Sequence, residues 1–312
     1  MNVSAIGYAI GAAIVFALSS ALQHQAATGE QGYRSGLHLL WRLARNRIWL
    51  TGLAAAAIGV VLHAAALGVG ALAVVQPLLV TSLALALPIR SLLDRARPSG
   101  RQALAAVVLA GAVAVFIAAV HPSAGQSAPH DGGAAAAIAV GVLIAGVSTS
   151  VARVRSGRVA GFSLGLAAGT LYGLEGGVLK ALVHVAGQGP AALMTGWPLW
   201  TLAVLGVWAL VVHQRAYTHA PLSVSLPALS VANPLAGIAF GVVVFGERPD
   251  SAPLALLAAA VSLCVIVASV TVLARASAEV TGVRVDPSDA ARPGGGTEAT
   301  APGVNVRRDS PA

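Results

Sequence analysis

Long apolar runs separated by short polar connections account for most of the chain. Each run, coiled as a helix, is long enough to cross about 30 Å of hydrocarbon. The pattern therefore predicts an all-α membrane protein of about nine transmembrane helices. The nine predicted spans are residues 3–22, 49–68, 71–93, 102–120, 134–151, 161–182, 198–214, 221–245 and 252–274.

Composition supports the lipid environment. Of the 312 residues, 57% are hydrophobic and 10% are charged, whereas soluble domains carry about 25% charged residues. The net charge of +8 raises the question of nucleic acid, because basic patches bind phosphates. The basic residues, however, fall in short connections between apolar runs. They indicate lipid headgroups and membrane topology, so we expect the lipid bilayer and not nucleic acid as a partner.

The connections alternate in charge. Arginines follow spans one, three, five and seven, whereas the alternate connections hold no Lys or Arg except Arg248. By the positive-inside rule the N-terminus lies outside and the C-terminus in the cytoplasm, as in a multi-pass protein of the cell (plasma) membrane. Segment 33–48 is too polar to span and predicts an interfacial helix on the cytoplasmic surface, an ordinary basic loop being the alternative. Residues 276–312 predict a disordered cytoplasmic tail.

The chain contains an internal repeat. Residues 71–120 can be aligned with 220–270, so that Pro77 meets Pro227, and residues 7–22 resemble 165–182. The first repeat (residues 1–122) holds spans one to four, residues 134–151 form a linking span, and residues 161–275 hold spans six to nine. Because the fifth crossing moves the chain across the membrane, the second repeat is inverted. An inverted 4+1+4 repeat is typical of secondary transporters, whose substrate sites lie where the repeats meet.

Several short motifs resemble a known family. They are a glycine-spaced first helix, "ALAVVQPLL" at 71–79 and "LSVANPLAGIAFGVVVFGERP" at 229–249. Over roughly residues 3–275 the chain resembles the drug/metabolite transporter (EamA-like) superfamily, which implies transport. "GGVLKAL" at 176–182 and "AAVHPS" at 118–123 are similar to its magnesium-transporter-like (NIPA-type) nine-span branch. In the first half Asp94 is displaced from the glutamate position of the family's acidic turn.

Span six carries two ionisable residues, Glu175 and Lys180. A carboxylate at the centre of a membrane helix costs roughly 2.5–3.5 kcal/mol, so it faces a cavity, finds a partner or stays protonated. Five residues apart, the two side chains do not face each other on a regular helix. Glycines at 165, 169, 173 and 177 form a ridge on one face, which permits close approach of a neighbouring helix. Lys180 either joins the site or extends to the headgroups.

Other polar residues at comparable depth complete the predicted site. They are Tyr172, His63, Gln76, Thr81 and Asn233, which could line one cavity with Glu175. Each alone is more often a contact between helices than a ligand. Gln76 and Asn233 each precede a proline, which leaves a carbonyl one turn earlier free.

The leading function is a secondary transporter of a small metabolite or cation by alternating access, with Glu175 binding an ion, a proton or the substrate. A carrier of Mg²⁺ or another divalent cation is the alternative, and Glu175 would be its metal ligand. A remote alternative is an intramembrane serine hydrolase, because "GFSLG" at 161–165 places Ser163 in a G-x-S-x-G pattern. A receptor or scaffold is a further class. We expect no enzyme activity and no cofactor, and the glycine ridge would also serve a homo-oligomer.

Overall fold

A computed structural model describes residues 2–28, 45–93, 99–122, 125, 128–219 and 222–280. These residues form ten helices joined by short connections. The helices are α1 (Val3–Thr28), α2 (Arg47–Val69), α3 (Leu72–Leu93), α4 (Gly100–Val120), α5 (Asp131–Val154), α6 (Gly157–Ala186), α7 (Pro190–Thr195), α8 (Trp197–His219), α9 (Leu222–Phe245) and α10 (Pro253–Val280).

Seven described helices are long and apolar enough to cross a membrane. These are α1, α2, α4, α5, α6, α9 and α10, and shorter apolar stretches, Leu72–Ala86 and Trp197–His213, lie in α3 and α8. Large apolar side chains cover the outside of the bundle, which is the surface that a bilayer requires. Among the most exposed are Leu254, Val107, Val204, Val61, Val207 and Leu143. The chain is therefore a multi-pass helical membrane protein in contact with lipid.

The helices extend past the predicted ends of the apolar runs. The sixth predicted span, residues 161–182, is Gly157–Ala186 in the structure, and the last helix continues to Val280. The first residues of the predicted tail are thus helical, because alanine and glutamate there favour a helix once it has left the hydrocarbon. Residues 281–312 lie outside the described residues. The six-residue helix α7, which begins at Pro190, was not predicted.

The predicted interfacial helix at 33–48 lies almost wholly outside the described residues, which resume at residue 45. Its last two residues belong to α2, which begins at Arg47. The side chain of Asn46 caps this helix by accepting hydrogen bonds from the N–H groups of Ile48 and Trp49 at 2.9 and 3.3 Å. An asparagine N-cap satisfies amide groups that a helix start leaves unpaired.

Helix α6 is the most buried of the seven long apolar helices. In its most apolar stretch, 67% of the residues are buried, against 28–50% in the other six helices. It packs most extensively against α9, and also against α8 and α5. In the first half of the chain α1 packs against α2 and α3. The two halves meet where α4 lies against α10, α3 against α9 and α2 against α6. This places α6, with Glu175 and Lys180, at the centre of the bundle.

Candidate functional site

A glycine seam joins α6 to α9. A Cβ added at Gly169 would lie 2.6 Å from the Leu229 carbonyl oxygen, and one at Gly173 would lie 2.5 Å from the Asn233 carbonyl oxygen. Since real Cβ atoms do not approach that closely, only glycine lets these backbones touch. The close approach that the glycine spacing predicts is confirmed, and its partner is the helix that carries Asn233.

Gln76 of α3 lies between α6 and α9. Its side chain is 1% exposed. A Cβ at Gly176 would collide with its amide nitrogen, and a Cβ at Gly237 would lie 2.7 Å from its Cγ. Glycines on both neighbouring helices therefore make room for this amide. Neither its oxygen nor its nitrogen has a hydrogen-bond partner among the described residues.

Two further side-chain oxygens, on α6 and α9, are also buried without a hydrogen-bond partner among the described residues. Glu175 directly precedes Gly176 on α6, and its Oε1 is buried without a hydrogen-bond partner among the described side chains and backbone. Asn233, one turn before Gly237 on α9, has its Oδ1 in the same condition. Buried polar groups are nearly always hydrogen-bonded, so the unsatisfied groups of Gln76, Glu175 and Asn233, on three helices that pack against one another, are candidate binding groups.

Prolines add free carbonyl groups to these helices. Pro77 lies inside α3 and Pro234 inside α9. Because proline lacks an N–H, the carbonyls of Ala73 and Ser230 lose their usual helical donors. The hydroxyl of Ser230 is likewise buried without a hydrogen-bond partner in the described part of the chain. The region is consequently rich in hydrogen-bond acceptors.

Tyr172 and His213 connect α6 to α8. The tyrosine hydroxyl lies 2.7 Å from the His213 Nδ1, and the two rings are nearly perpendicular with centroids 5.4 Å apart. His213 is not among the residues that the sequence predicts for the site. The structure shows it as the half-buried partner of a tyrosine one turn before Gly176.

His63 and Thr81 have other surroundings. His63 of α2 packs edge-on against Phe16, with ring centroids 6.5 Å apart, and its Nε2 is buried without a hydrogen-bond partner among the described residues. Thr81 donates to the Leu78 carbonyl at 2.6 Å. It lines an apolar cavity of about 560 Å³ between α1, α3 and α4, to which Gln76, Glu175 and Asn233 do not contribute. The structure thus divides the residues predicted to line one cavity.

Lys180 is held by a carboxylate rather than by headgroups. Its Nζ lies 2.6 Å from the Oε1 of Glu247, and the two side chains are 11% and 1% exposed. The ammonium also donates to the Gly70 carbonyl at 3.0 Å and lies 4.7 Å from the centre of the Phe245 ring. The Lys180 ammonium is therefore paired with groups of the protein itself.

Glu247 is the residue that sequence reasoning missed. Gly246, with φ of 64°, follows α9 in the left-handed conformation, and the Glu247 N–H donates to the Gly241 carbonyl at 3.0 Å, which satisfies one of the last carbonyls of the helix. The turn directs the side chain back into the bundle, where it accepts from the N–H of Leu72 at 2.9 Å. The available signal was topological: both charges fall at the same end of their predicted spans, and opposite charges in lipid pair.

Ser163 has none of the context that a hydrolase requires. The G-x-S-x-G pattern acts on a sharp strand-to-helix turn that exposes the serine. Here Ser163 is a buried residue inside the continuous helix α6. Within the described residues, moreover, no group of three or more His, Cys, Asp and Glu side chains is placed to hold a metal ion.

Comparison with known proteins identifies a relative of almost full length. The chain is 28% identical to an uncharacterized protein of Corynebacterium glutamicum over 279 residues, which make up 88% of this chain and 96% of the relative. No family model matches the chain. No solved structure matches it significantly.

Proposed function

We propose that the chain is a secondary transporter of the plasma membrane that moves a small metabolite or cation by alternating access. The observation that carries the proposal is that Gln76, Glu175 and Asn233, on the mutually packed helices α3, α6 and α9, hold buried polar atoms without a hydrogen-bond partner among the described residues. Such groups in the interior of a membrane protein mark substrate and ion pathways. Glu175 is the group that binds the coupling ion, the proton or the substrate.

The proposed architecture is an inverted 4+1+4 repeat with nine crossings, as in the drug/metabolite transporter superfamily. Two halves of opposite orientation would allow the site to open to either side of the membrane. The packing of the helices supports it. In the first repeat α1 packs against α2 and α3, and α3 against α4; in the second α6 packs against α8 and α9, and α9 against α10. Equivalent helices also meet between the repeats, α3 with α9 and α4 with α10. The site lies at that junction, where transporters of this kind bind substrate.

The chemistry of the site favours a cation or a hydrogen-bond donor. The Glu175 carboxyl, the Asn233 and Gln76 amide oxygens and the carbonyl groups freed by two prolines are acceptors, and the Gln76 Nε2 is an unsatisfied donor beside them among the described residues. The nearby cation, Lys180, is already paired with Glu247. A protonated amine, a metal cation or a hydroxyl-bearing metabolite would satisfy such acceptors, while an anion would meet repulsion from Glu175.

Transport and binding by the Glu175→Gln variant test the proposal. Purified protein is screened by thermal shift against amines, metabolites and divalent cations, because a ligand that binds the native state raises the melting temperature. The ligand is then followed into proteoliposomes with and without a proton gradient. We expect Glu175→Gln to abolish coupled uptake, whereas Asp131→Asn, the same change at an exposed residue of α5, leaves it intact. Unaltered uptake in Glu175→Gln would reject the assignment.

Mg²⁺ is the second candidate cargo, because every candidate ligand at the site is an oxygen. Mg²⁺ keeps several of its waters and needs only one or two protein carboxylates, so a hydrated ion is compatible with Glu175. Rescue of growth in a strain that lacks Mg²⁺ uptake, lost again in Glu175→Gln, distinguishes this cargo from an organic one.

A further inference from the structure

We infer that Lys180 and Glu247 form a latch that closes one end of the carrier. The inference rests on the proposed function and assigns to these two residues a role apart from the substrate site. The latch consists of Lys180, Glu247, the Gly70 carbonyl and the first N–H groups of α3. It joins the two halves of the chain at the end where α2, α6 and α9 terminate.

Three hydrogen bonds of the latch cross between the halves. From the second half, Lys180 donates to the Gly70 carbonyl at 3.0 Å, and Glu247 accepts from the Leu72 and Ala73 N–H groups at 2.9 and 3.4 Å. The carboxylate thus caps a helix start whose amides carry a partial positive charge. The ion pair at 2.6 Å holds the two second-half residues together over the first half.

The burial of the pair makes the closed state all-or-none. While this end is closed, separating the charges would leave each of them dry and unpaired, which is strongly unfavourable. Once the end opens, water solvates both groups, and their hydration largely compensates for the lost ion pair. Intermediate arrangements, in which the two charges are separated but not yet hydrated, are the least stable. A latch of this kind favours two discrete states, as alternating access requires.

A contact between the halves beside the latch is more extensive than its counterpart in the other repeat. Beside the latch α2 packs against α6, and a Cβ at Gly68 would lie 3.1 Å from the Val183 Cγ1. In the proposed inverted repeat, α2 corresponds to α8 and α6 corresponds to α1. The contact equivalent to that of α2 with α6 would therefore join α8 to α1. In the part of the chain that the structure describes, α8 and α1 share no contact as extensive as that of α2 with α6. One of two equivalent contacts is the more extensive, as in a carrier closed at one end only.

Thiol labelling tests the latch without a known substrate. Cys264 is first replaced by alanine, and Val183→Cys is introduced as a reporter beside the latch. A membrane-impermeant maleimide is applied to each side of sealed vesicles. We expect Glu247→Gln and Lys180→Met each to raise the labelling rate from the latch side by about tenfold, because either change removes the pair that biases the equilibrium towards closure. Asp250→Asn, in the same turn but exposed, should leave the rate unchanged.

A disulfide provides the opposite test. Gly68→Cys with Val183→Cys places two thiols within bonding range, so oxidation locks this end shut. Locking should stop transport until a reductant is added. Unchanged labelling in both charge variants, or full transport by the locked protein, would overturn the latch while leaving the carrier intact. If labelling rises but the protein carries none of the ligands found by thermal shift, the proposed function fails and the latch stands.

Discussion

At Gln76 a polar side chain is kept where an apolar one would be more stable. The amide is 1% exposed and has no hydrogen-bond partner among the described residues. Leaving a buried amide unpaired costs about 1–3 kcal/mol. Its space depends on the glycines at 176 and 237, because a Cβ at either position would collide with Gln76. A residue that lowers stability in this way is one that function retains.

Replacing Gln76 by methionine, which has nearly the same shape and no amide, should therefore separate stability from function. We expect the free energy of unfolding in detergent to rise by about 1 kcal/mol, since the desolvated amide is removed. Uptake of the ligand should fall at least tenfold. Thermal unfolding and proteoliposome uptake on the same preparation make the comparison. A destabilised variant with normal uptake would show that Gln76 only packs the core.

Single residues were predictable from the sequence where their own chemistry was unusual. Glu175 and Lys180 stand out in an apolar span, and so do Gln76 and Asn233. Their surroundings were not predictable, because partners come from distant parts of the chain: Glu247 lies 67 residues from Lys180. Thr81 was grouped with Glu175 on depth alone, and depth does not specify the face of α3 on which a side chain lies.

The glycine seam between α6 and α9 determines how closely these helices pack. Carbonyl oxygens of α9 lie where side chains of α6 would otherwise be, at Gly165, Gly169 and Gly173. Helix association in membranes depends on such close packing because lipid supplies no hydrophobic driving force. The seam therefore contributes to the stability of the second half of the chain.

Gly173→Ala should weaken this seam. Its Cβ would lie 2.5 Å from the Asn233 carbonyl oxygen, and overpacking of this kind costs about 1–3 kcal/mol or more. Gly111→Ala is the matched control, because a Cβ there meets nothing within 4 Å and alanine stabilises a helix by about 0.5–1 kcal/mol. Unfolding in mixed micelles measures both variants, and equal stabilities would contradict the seam.

Helices were the level best predicted from the sequence. Hydropathy locates each of the nine apolar runs on a described helix, and glycine periodicity identifies the close-packed face of α6. Helix ends were placed less well, as at Val280, because hydropathy reports the hydrocarbon boundary and not the point at which the backbone leaves the helix. The helix α7 escaped prediction because six residues show no periodicity.

The arrangement of the whole molecule depends on whether α3 and α8 cross the membrane. Their apolar stretches, Leu72–Ala86 and Trp197–His213, are shorter than those of the other seven helices. Both helices contain the residues that build the site or support it. A carrier with two equivalent halves requires both to cross.

Accessibility of residue 100 distinguishes the two topologies. In a protein whose Cys264 has been replaced, Gly100→Cys introduces a thiol at an exposed position where a Cβ meets nothing within 4 Å. Nine crossings place this thiol on the same side as the C-terminus and opposite the N-terminus. If α3 and α8 do not cross, residue 100 faces the side of the N-terminus. Labelling by an impermeant maleimide in right-side-out and inverted vesicles, with tags on both termini, separates these outcomes.

The backbone contact of α6 with α9 constrains how the carrier can move. Sliding either helix along the other would drive carbonyl oxygens into Cα atoms, so the two helices should move as one rigid unit. In the proposed carrier, displacement between the halves would then fall on the junctions of α3 with α9, α4 with α10 and α2 with α6. Substitutions at those junctions should alter turnover speed while sparing ligand affinity.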